Sequence, residues 1–310
     1  MAGALDRARE SFADKAWGDA FAKLSAADAE APLQPEDLER LAMAAYLTGR
    51  APDCEAAWSR ANHELLDRGD VAGAARCAFW LGFVLTMKGE AVLGGGWFAR
   101  AQRLVDDGEL DCAERGYLLV PLGLGSMTEG DDAGALEALA QAGEIAERFA
   151  DADLRAFAWC GRGGALVRLG ELAEGLSLLD EVLVALTAGE VSSAVSGIVY
   201  CAAIETFQEA FDLRRAQEWT AALTQWCEAQ PDLVPYRGNC LVHRVEIMCL
   251  RGAWPDALDE ARRACELLTR PPQPAIGEAF YQRAELHRLR GELAEAEEAY
   301  SEANHLGRPP

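Results

Sequence analysis

The stretch LRGELAEAEEAYSEANHLGRPP, residues Leu289–Pro310, contains the pattern that decides the fold. Gly291 is followed by Ala296, Tyr300 and Ala303, which share one face of a helix at helical spacing. Glycine lets a chain reverse at a helix end because it adopts a positive φ at little cost. The stretch therefore predicts the turn and second helix of a helical hairpin.

The same turn signal recurs along the whole chain. Stretches such as LTGRA, MKGEA, RLGEL and LRGAW place a marker at positions 15, 49, 89, 130, 170, 212, 252 and 291, and glycine is missing at 15 and 212. The spacing is about 40 residues, and a fixed period of a few tens of residues is the signature of a repeat array. Eight markers predict eight helix pairs.

Two positions in each repeat are small where two helices would cross. They lie seven residues before and five after the marker, as at Gly82 and Gly94, and both are small in six of the eight repeats. Small side chains let helix backbones approach closely. The sixth repeat departs from the pattern with Glu205 and Gln217, and the seventh with Val245. We therefore expect irregular packing in these two repeats.

The composition restricts the compartment and the partners. The 310 residues carry a net charge of −22, which disfavours direct binding to nucleic acid or to an anionic membrane because phosphates would be repelled. The N-terminus lacks the apolar core of a signal peptide, and no apolar run is long enough to span a bilayer. Nine cysteines, an odd number scattered singly, suit reduced thiols. A cytoplasmic protein is expected.

Motifs for catalysis are not found. The sequence has no phosphate loop, GxSxG, HExxH or paired CxxC, and its four histidines are scattered over three hairpins. We therefore expect a protein that is not an enzyme and needs neither a cofactor nor a metal.

The repeat resembles the tetratricopeptide repeat, most clearly in WLGFVLTMKGE (Trp80–Glu90) and in Gly291–Ala303. The resemblance implies an all-α fold, a right-handed superhelical solenoid of about eight antiparallel helix pairs. The period exceeds that family's usual value of about 34 residues, which implies longer helices or wider loops. No linker interrupts the pattern, so residues 1–310 are predicted to form a single domain.

The resemblance also implies a concave groove lined by the first helix of each pair, with residues ten, six and three before the marker facing it. This assigns seven groove contacts: Phe79, Phe83, Glu209, Glu246, Tyr281, Glu285 and Arg288. The phenylalanines would bury an apolar group of a ligand, or else pack between repeats. The glutamates would meet a cation or backbone amides, and Arg288 an anion.

Charged residues occupy positions where apolar ones are expected. Arg162, Arg244 and Arg283 each stand eight residues before their marker, and Glu205 precedes Arg244 by one repeat. A buried charge needs a partner, so a structural ion pair between Glu205 and Arg244 is predicted. The alternative is an arginine that binds an anionic ligand in a bidentate manner.

Several stretches resemble the sensor regions of actinobacterial LuxR-type transcriptional regulators: ARCAFWLGFVL (Ala75–Leu85), GGWFARAQRL (Gly95–Leu104), LRRAQEWTAALTQWC (Leu213–Cys227) and GAWPDALDEARRACE (Gly252–Glu266). The resemblance implies a regulatory array that senses a protein, a peptide or a small-molecule effector, with its DNA-binding domain outside this chain. A homodimer is compatible with it. The alternatives are a free-standing scaffold that binds a peptide or helix and, less favoured, an enzyme built on a solenoid. Because the last repeat is regular, we expect the array to continue beyond Pro310 or to dock its open end.

Overall fold

A computed structural model describes residues 2–230, 232–269 and 275–307 of the chain. Within these ranges the chain forms sixteen α-helices and no strand, which confirms the predicted all-α helical-repeat fold. Among the first ten helices each packs on the next helix in the chain, and the same holds among the last five, as in a solenoid. No helix in the described ranges is both long enough and apolar enough to span a bilayer.

The chain divides into two compact units, Met1–Val199 and Tyr200–Pro310, which we call the N-terminal unit and the C-terminal unit. The boundary falls inside α11 (Ser193–Glu209). The helices before it are α1 (Ala2–Ala13), α2 (Trp17–Glu30), α3 (Pro35–Leu47), α4 (Ala51–Asp67), α5 (Val71–Met87), α6 (Ala91–Asp107), α7 (Ala113–Glu129), α8 (Asp132–Phe149), α9 (Ala152–Arg168) and α10 (Leu172–Thr187). The helices after it are α12 (Leu213–Glu228), α13 (Arg237–Leu250), α14 (Trp254–Thr269), α15 (Ile276–Leu289) and α16 (Leu293–His305).

The predicted markers lie at the turn inside each hairpin. Gly89 and Gly170 have φ values of 92° and 91°, in the left-handed region that ends a helix. The two repeats without a marker glycine use the same backbone conformation, since Lys15 has φ 60° and Phe211 has φ 56°. The turn geometry is therefore kept even where an L side chain makes it less favourable.

The predicted small positions are sites of close backbone approach. A Cβ atom added at Gly94 on α6 would lie 2.7 Å from the carbonyl oxygen of Gly82 on α5. At Gly175 on α10 it would lie 2.7 Å from the carbonyl oxygen of Gly163 on α9. The glycines thus set the distance between the two helices of the third and fifth hairpins.

Aromatic side chains fill the core at the third and fourth repeats. The Phe79 ring lies 5.2 Å from the Tyr117 ring, 5.9 Å from the Phe98 ring and 6.3 Å from the Phe83 ring, measured between centroids. Phe157 joins the same group, with its centroid 6.3 Å from that of Phe83. Such offset and tilted pairs are the favoured arrangements of buried rings.

The cysteines are free thiols, seven of them buried and two half-buried. Burial raises the pKa of Cys54 to about 12 and that of Cys265 to about 11. A buried thiol with a raised pKa behaves as a small apolar side chain.

Candidate functional site

The first helices of the last three repeats, α11, α13 and α15, each present one face to a shared cavity in the C-terminal unit. We call this cavity of about 680 Å³ the acidic cleft. Its wall residues recur every three or four positions, which is the spacing of one helix face. The lining residues are Glu205, Gln208, Glu209, Asn239, Val242, His243, Glu246, Cys249, Leu250, Ala275, Glu278, Tyr281, Gln282 and Glu285. Five of these are glutamates, and one histidine is the only basic residue among them.

Glu246 is the centre of a hydrogen-bond network in the cleft. Gln208 on α11 donates its Nε2 to Glu246 Oε2 at 3.0 Å, and Gln282 on α15 donates to Glu246 Oε1 at 3.1 Å. The same Gln282 nitrogen lies 3.0 Å from Glu278 Oε1. The carboxylate on α13 is thereby fixed from both neighbouring helices, which orients it before any ligand arrives.

His243 lies beneath Glu246 and is 4% exposed. Its Nδ1 is 3.4 Å from Glu246 Oε2. Burial alone would lower the pKa of His243, but hydrogen bonds to the Cys201 thiol and to the Glu246 carboxylate outweigh it and raise the pKa well above its ordinary value. The surroundings of His243 thus favour the protonated form of the imidazole beside the cleft carboxylates.

The Glu205 side chain is exposed in the cleft and is surrounded by the other residues that line it. The loss of surrounding water raises the pKa of Glu205, and the charges of Glu246, Glu209 and Glu278 raise it further against the opposing effect of His243. The carboxylates therefore repel one another across the cleft. A cation placed among them would relieve this repulsion.

The rim of the cleft is formed by α15 and α16. The rings of Tyr281 and Tyr300 meet edge to face, with centroids 5.8 Å apart. Arg288 Nη2 lies 2.6 Å from Glu285 Oε2, and the Tyr300 hydroxyl donates to the same carboxylate. One carboxylate of the cleft is thus already neutralised by a neighbour, whereas those on α11 face the cavity.

The structure brings four of the seven predicted groove residues together: Glu209, Glu246, Tyr281 and Glu285 all line the acidic cleft. Arg288 lies at the rim, where it pairs with Glu285 and is half exposed. Phe79 and Phe83 lie in the N-terminal unit, in the aromatic core described above, and are only 1% and 9% exposed. In the structure the two phenylalanines pack between repeats, which is the second of their two predicted roles, and they do not form an open apolar surface.

The predicted ion pair between Glu205 and Arg244 requires a correction. Arg244 Nε lies 2.9 Å from Oε1 of Glu260 on α14, whose side chain is 6% exposed. His243, the residue before it on α13, faces Glu205 instead. Arg244 is not among the described residues that line the cleft and lies instead at the wall between α12 and α13. Glu205 needs no buried partner because it borders the open cleft.

A substitution at Glu205 tests this corrected role. Because its pKa is raised on folding, ionising Glu205 lowers the free energy of unfolding as pH rises through the raised pKa. We expect Glu205→Gln to raise the melting temperature by about 1–2 °C at pH 8, allowing for solvent screening. At pH 4 the carboxyl is protonated and the variant should match the wild type. Thermal unfolding followed by circular dichroism measures both.

Glu297→Gln, on the exposed side of α16, is the matched control and should change nothing at either pH. A sharp drop in the melting temperature of Glu205→Gln would mean that Glu205 does hold a structural ion pair.

Sequence reasoning missed the polar residues that organise the cleft, Gln208, His243 and Gln282. The groove rule selects one residue per turn, whereas a wide cavity is also lined by the residue beside it on the helix. Gln208 and Gln282 are direct neighbours of the predicted Glu209 and Tyr281. A rule that also includes the residue directly before or after each groove position would have found them.

In the part of the chain that the structure describes, no group of three or more His, Cys, Asp or Glu side chains is placed to hold a metal ion. The cleft offers instead several carboxylates on a fixed scaffold with apolar neighbours such as Val242 and Leu250. This arrangement can bind a cation that carries an apolar portion.

A second cavity, of about 710 Å³, lies within the N-terminal unit. Trp58 and Trp80 stack on its wall with centroids 6.4 Å apart, and Arg76 bridges Glu39 and Glu114 at 3.0 and 3.1 Å. Arg76 thus compensates two carboxylates at this cavity, whereas the acidic cleft has no arginine among its described lining residues.

No protein-family model matches the chain, and no curated protein matches its sequence. Solved structures are similar in fold. A Rap protein complexed with competence and sporulation factor has a TM-score of 0.66 at 13% identity, over 98% of this chain and 97% of that one. The apo form of RapI has a TM-score of 0.54 at 13% identity, over 88% of this chain and 98% of that one.

A third similar structure is a signal transduction ATPase with a tetratricopeptide repeat sensor from Pyrococcus horikoshii. It has a TM-score of 0.53 at 13% identity, over 92% of this chain and 44% of that one. At such low identity these likenesses establish the fold, a helical-repeat array of the tetratricopeptide type.

Proposed function

We propose that this chain is a non-catalytic interaction array whose C-terminal unit binds a positively charged peptide segment in the acidic cleft. The observation that carries the proposal is the convergence of five glutamates from α11, α13 and α15 on one cavity. One face of each of these three helices meets there, so an extended segment can contact several repeats at once.

The chemistry of the cleft favours Arg or Lys side chains spaced by apolar residues. Carboxylates held in place by glutamine, as Glu246 is, accept charge-assisted hydrogen bonds without reorganising. Val242, Leu250 and the Tyr281 ring provide apolar surface for the side-chain stems. The net charge of −22 attracts a basic partner from a distance, an effect that salt weakens.

At a finer level, we propose that the array is the sensing part of a cytoplasmic LuxR-type transcriptional regulator, with DNA bound by a domain outside this chain. The resemblance in repeat texture supports this interpretation, as does the shared fold with a tetratricopeptide repeat sensor. A free-standing scaffold is the alternative. Sequencing the parent gene beyond the Pro310 codon separates the two: a helix-turn-helix of about 60 residues supports the regulator, and a stop codon the scaffold.

Binding of a designed peptide tests the cleft. The probe is a fluorescein-labelled peptide of about twelve residues that alternates Lys and Leu, compared with one in which Glu replaces Lys. We expect saturable binding of the basic peptide only, weakening as salt rises. Glu209→Gln combined with Glu246→Gln should reduce its affinity about tenfold, the equivalent of about 1.4 kcal/mol. Fluorescence anisotropy on the full chain measures the affinity.

Glu297→Gln combined with Glu298→Gln removes the same charge from exposed positions on α16 and should leave the affinity within about twofold. Equal binding of the two peptides, or equal losses in the two double variants, would assign the attraction to net charge and reject the cleft.

A further inference from the structure

A third cavity, of about 630 Å³, lies between α12 and α13, where the sixth repeat meets the seventh. Among the described residues that line it, the charged ones are Arg244 and Arg251, and none is Asp or Glu. In a chain with 51 acidic and 29 basic residues, a cavity lined by two arginines and no carboxylate departs from the average surface. Its electrostatic character is opposite to that of the acidic cleft.

The cavity follows from the spacing of small and polar residues on two facing helices. α12 contributes Gln217, Ala221 and Thr224, and α13 contributes Arg244 and Arg251, all at i, i+3/i+4 and i+7 positions of one helix face. The short side chain of Ala221 leaves space at this wall. Gln217 is also one of the residues that break the small-residue pattern, so the irregularity in sequence coincides with the cavity.

The two arginines are positioned differently. Arg244 forms an ion pair with the buried Glu260 carboxylate, with Nε 2.9 Å from Oε1, and this carboxylate compensates part of its charge. Arg251 donates from Nη1 to the amide oxygen of Gln217, across the cavity mouth. An amide leaves the positive charge of Arg251 uncompensated, whereas a carboxylate would neutralise it.

Neutral groups complete the walls. The Thr224 hydroxyl lies 2.9 Å from the carbonyl oxygen of Thr220 and 3.0 Å from the Cys240 sulfur. The Gln225 amide lies at the same wall, and Ile247 and Met248 form apolar surface between the arginines. A few polar groups on an otherwise apolar wall are typical of sites for small organic molecules.

We propose that this cavity binds a small organic anion, with a carboxylate or phosphate group at Arg251 and Arg244 and a short apolar part against Ile247 and Met248. The site is separate from the acidic cleft: it uses the other face of α13 and the second helix of the sixth repeat. It binds a ligand of opposite charge. A negative result in one binding experiment therefore does not affect the other proposal.

Binding of simple organic anions tests the proposal. The probes are phenylacetate and phenyl phosphate, with phenylacetamide as the neutral isostere, titrated into the full chain by isothermal calorimetry. We expect both anions to bind saturably and the amide to bind at least about tenfold more weakly, because it lacks the charge. Trp254, whose indole nitrogen donates to the Cys249 carbonyl at 3.2 Å beside the lining residue Ala253, offers a fluorescence signal for the same titration.

Two variants locate the site. Arg251→Gln removes an exposed charge that the fold does not need and should weaken phenylacetate binding about tenfold. Ala221→Leu leaves the charges unchanged but fills the cavity, and should abolish binding of both anions. Arg262→Gln, an exposed arginine on α14 paired with Asp259, is the charge-matched control and should bind like the wild type.

Three results would overturn the proposal. These are no saturable binding of either anion up to about 10 mM, equal affinity for the anion and the amide, or unchanged affinity in Arg251→Gln or Ala221→Leu.

Discussion

Gly94→Ala is expected to lower the free energy of unfolding by about 2–3 kcal/mol, because the added methyl group has no space between α5 and α6. Its Cβ would lie 2.7 Å from the Gly82 carbonyl oxygen and 3.1 Å from the Thr86 amide nitrogen, and it would also overlap the Thr86 hydroxyl. Two of these atoms belong to the backbone, so the helices must separate. Separation would also disturb the Thr86 hydroxyl, which donates to the Gly82 carbonyl oxygen at 2.8 Å.

The neighbouring residue provides the control. Gly95 lies on the same helix, and a Cβ there would meet nothing within 4 Å. Gly95→Ala should therefore raise the free energy of unfolding by about 0.5–1 kcal/mol, since alanine favours the helix more than glycine does. Urea denaturation of the two variants should give shifts of opposite sign. Shifts of the same sign would show that α5 and α6 do not pack as closely as described.

Asp37→Asn is expected to lower the free energy of unfolding by about 2–4 kcal/mol at pH 7, because it removes the charge from a buried carboxylate that two arginines share. Arg9 donates its Nε to Oδ1 at 2.9 Å and its Nη2 to Oδ2 at 2.6 Å, and Arg40 donates to Oδ1 at 2.7 Å. The Asp37 side chain is 0% exposed. The cluster joins α1 to α3, the first helices of two repeats.

The loss of stability in Asp37→Asn should depend on pH. Burial would raise the pKa of Asp37, but hydrogen bonds and charges of Arg9 and Arg40 outweigh it and lower the pKa below its ordinary value. The stabilisation is therefore present above the ordinary pKa of about 4 and is lost as pH falls through the lowered one. Wild type and variant should converge at low pH in thermal unfolding. Asp259→Asn, with a side chain 73% exposed, should match the wild type throughout.

The hairpins could be predicted from sequence because their determinants are local. A glycine at the turn and small residues seven before and five after it lie within one repeat, so each copy gives the same information independently. Lys15 and Phe211 both adopt the left-handed conformation, so the turn recurs at the same spacing even where the glycine is missing. The resemblance to the tetratricopeptide repeat was confirmed at the level of the fold.

The candidate site could be predicted only in part because it depends on how neighbouring repeats pack. The groove columns found Glu209, Glu246, Tyr281 and Glu285, but the same rule placed Phe79 and Phe83 in a region where other aromatic side chains fill the space. Whether an inward face stays open depends on the curvature of the array, which the period does not encode. The pairing of Arg244 with Glu260 rather than Glu205 depends likewise on the rotation of α13.

The buried thiols allow the local opening of individual hairpins to be measured. Seven buried cysteines lie on α4, α5, α9, α11, α12, α13 and α14, so most repeats carry one in the core. The thiolate is the reactive form. Burial keeps all seven sulfurs from reagents in the closed state and raises the pKa of Cys54, Cys77, Cys240 and Cys265. Each sulfur is then modified at the frequency with which its own hairpin opens, so mass spectrometry of alkylated peptides resolves the stability of the chain repeat by repeat.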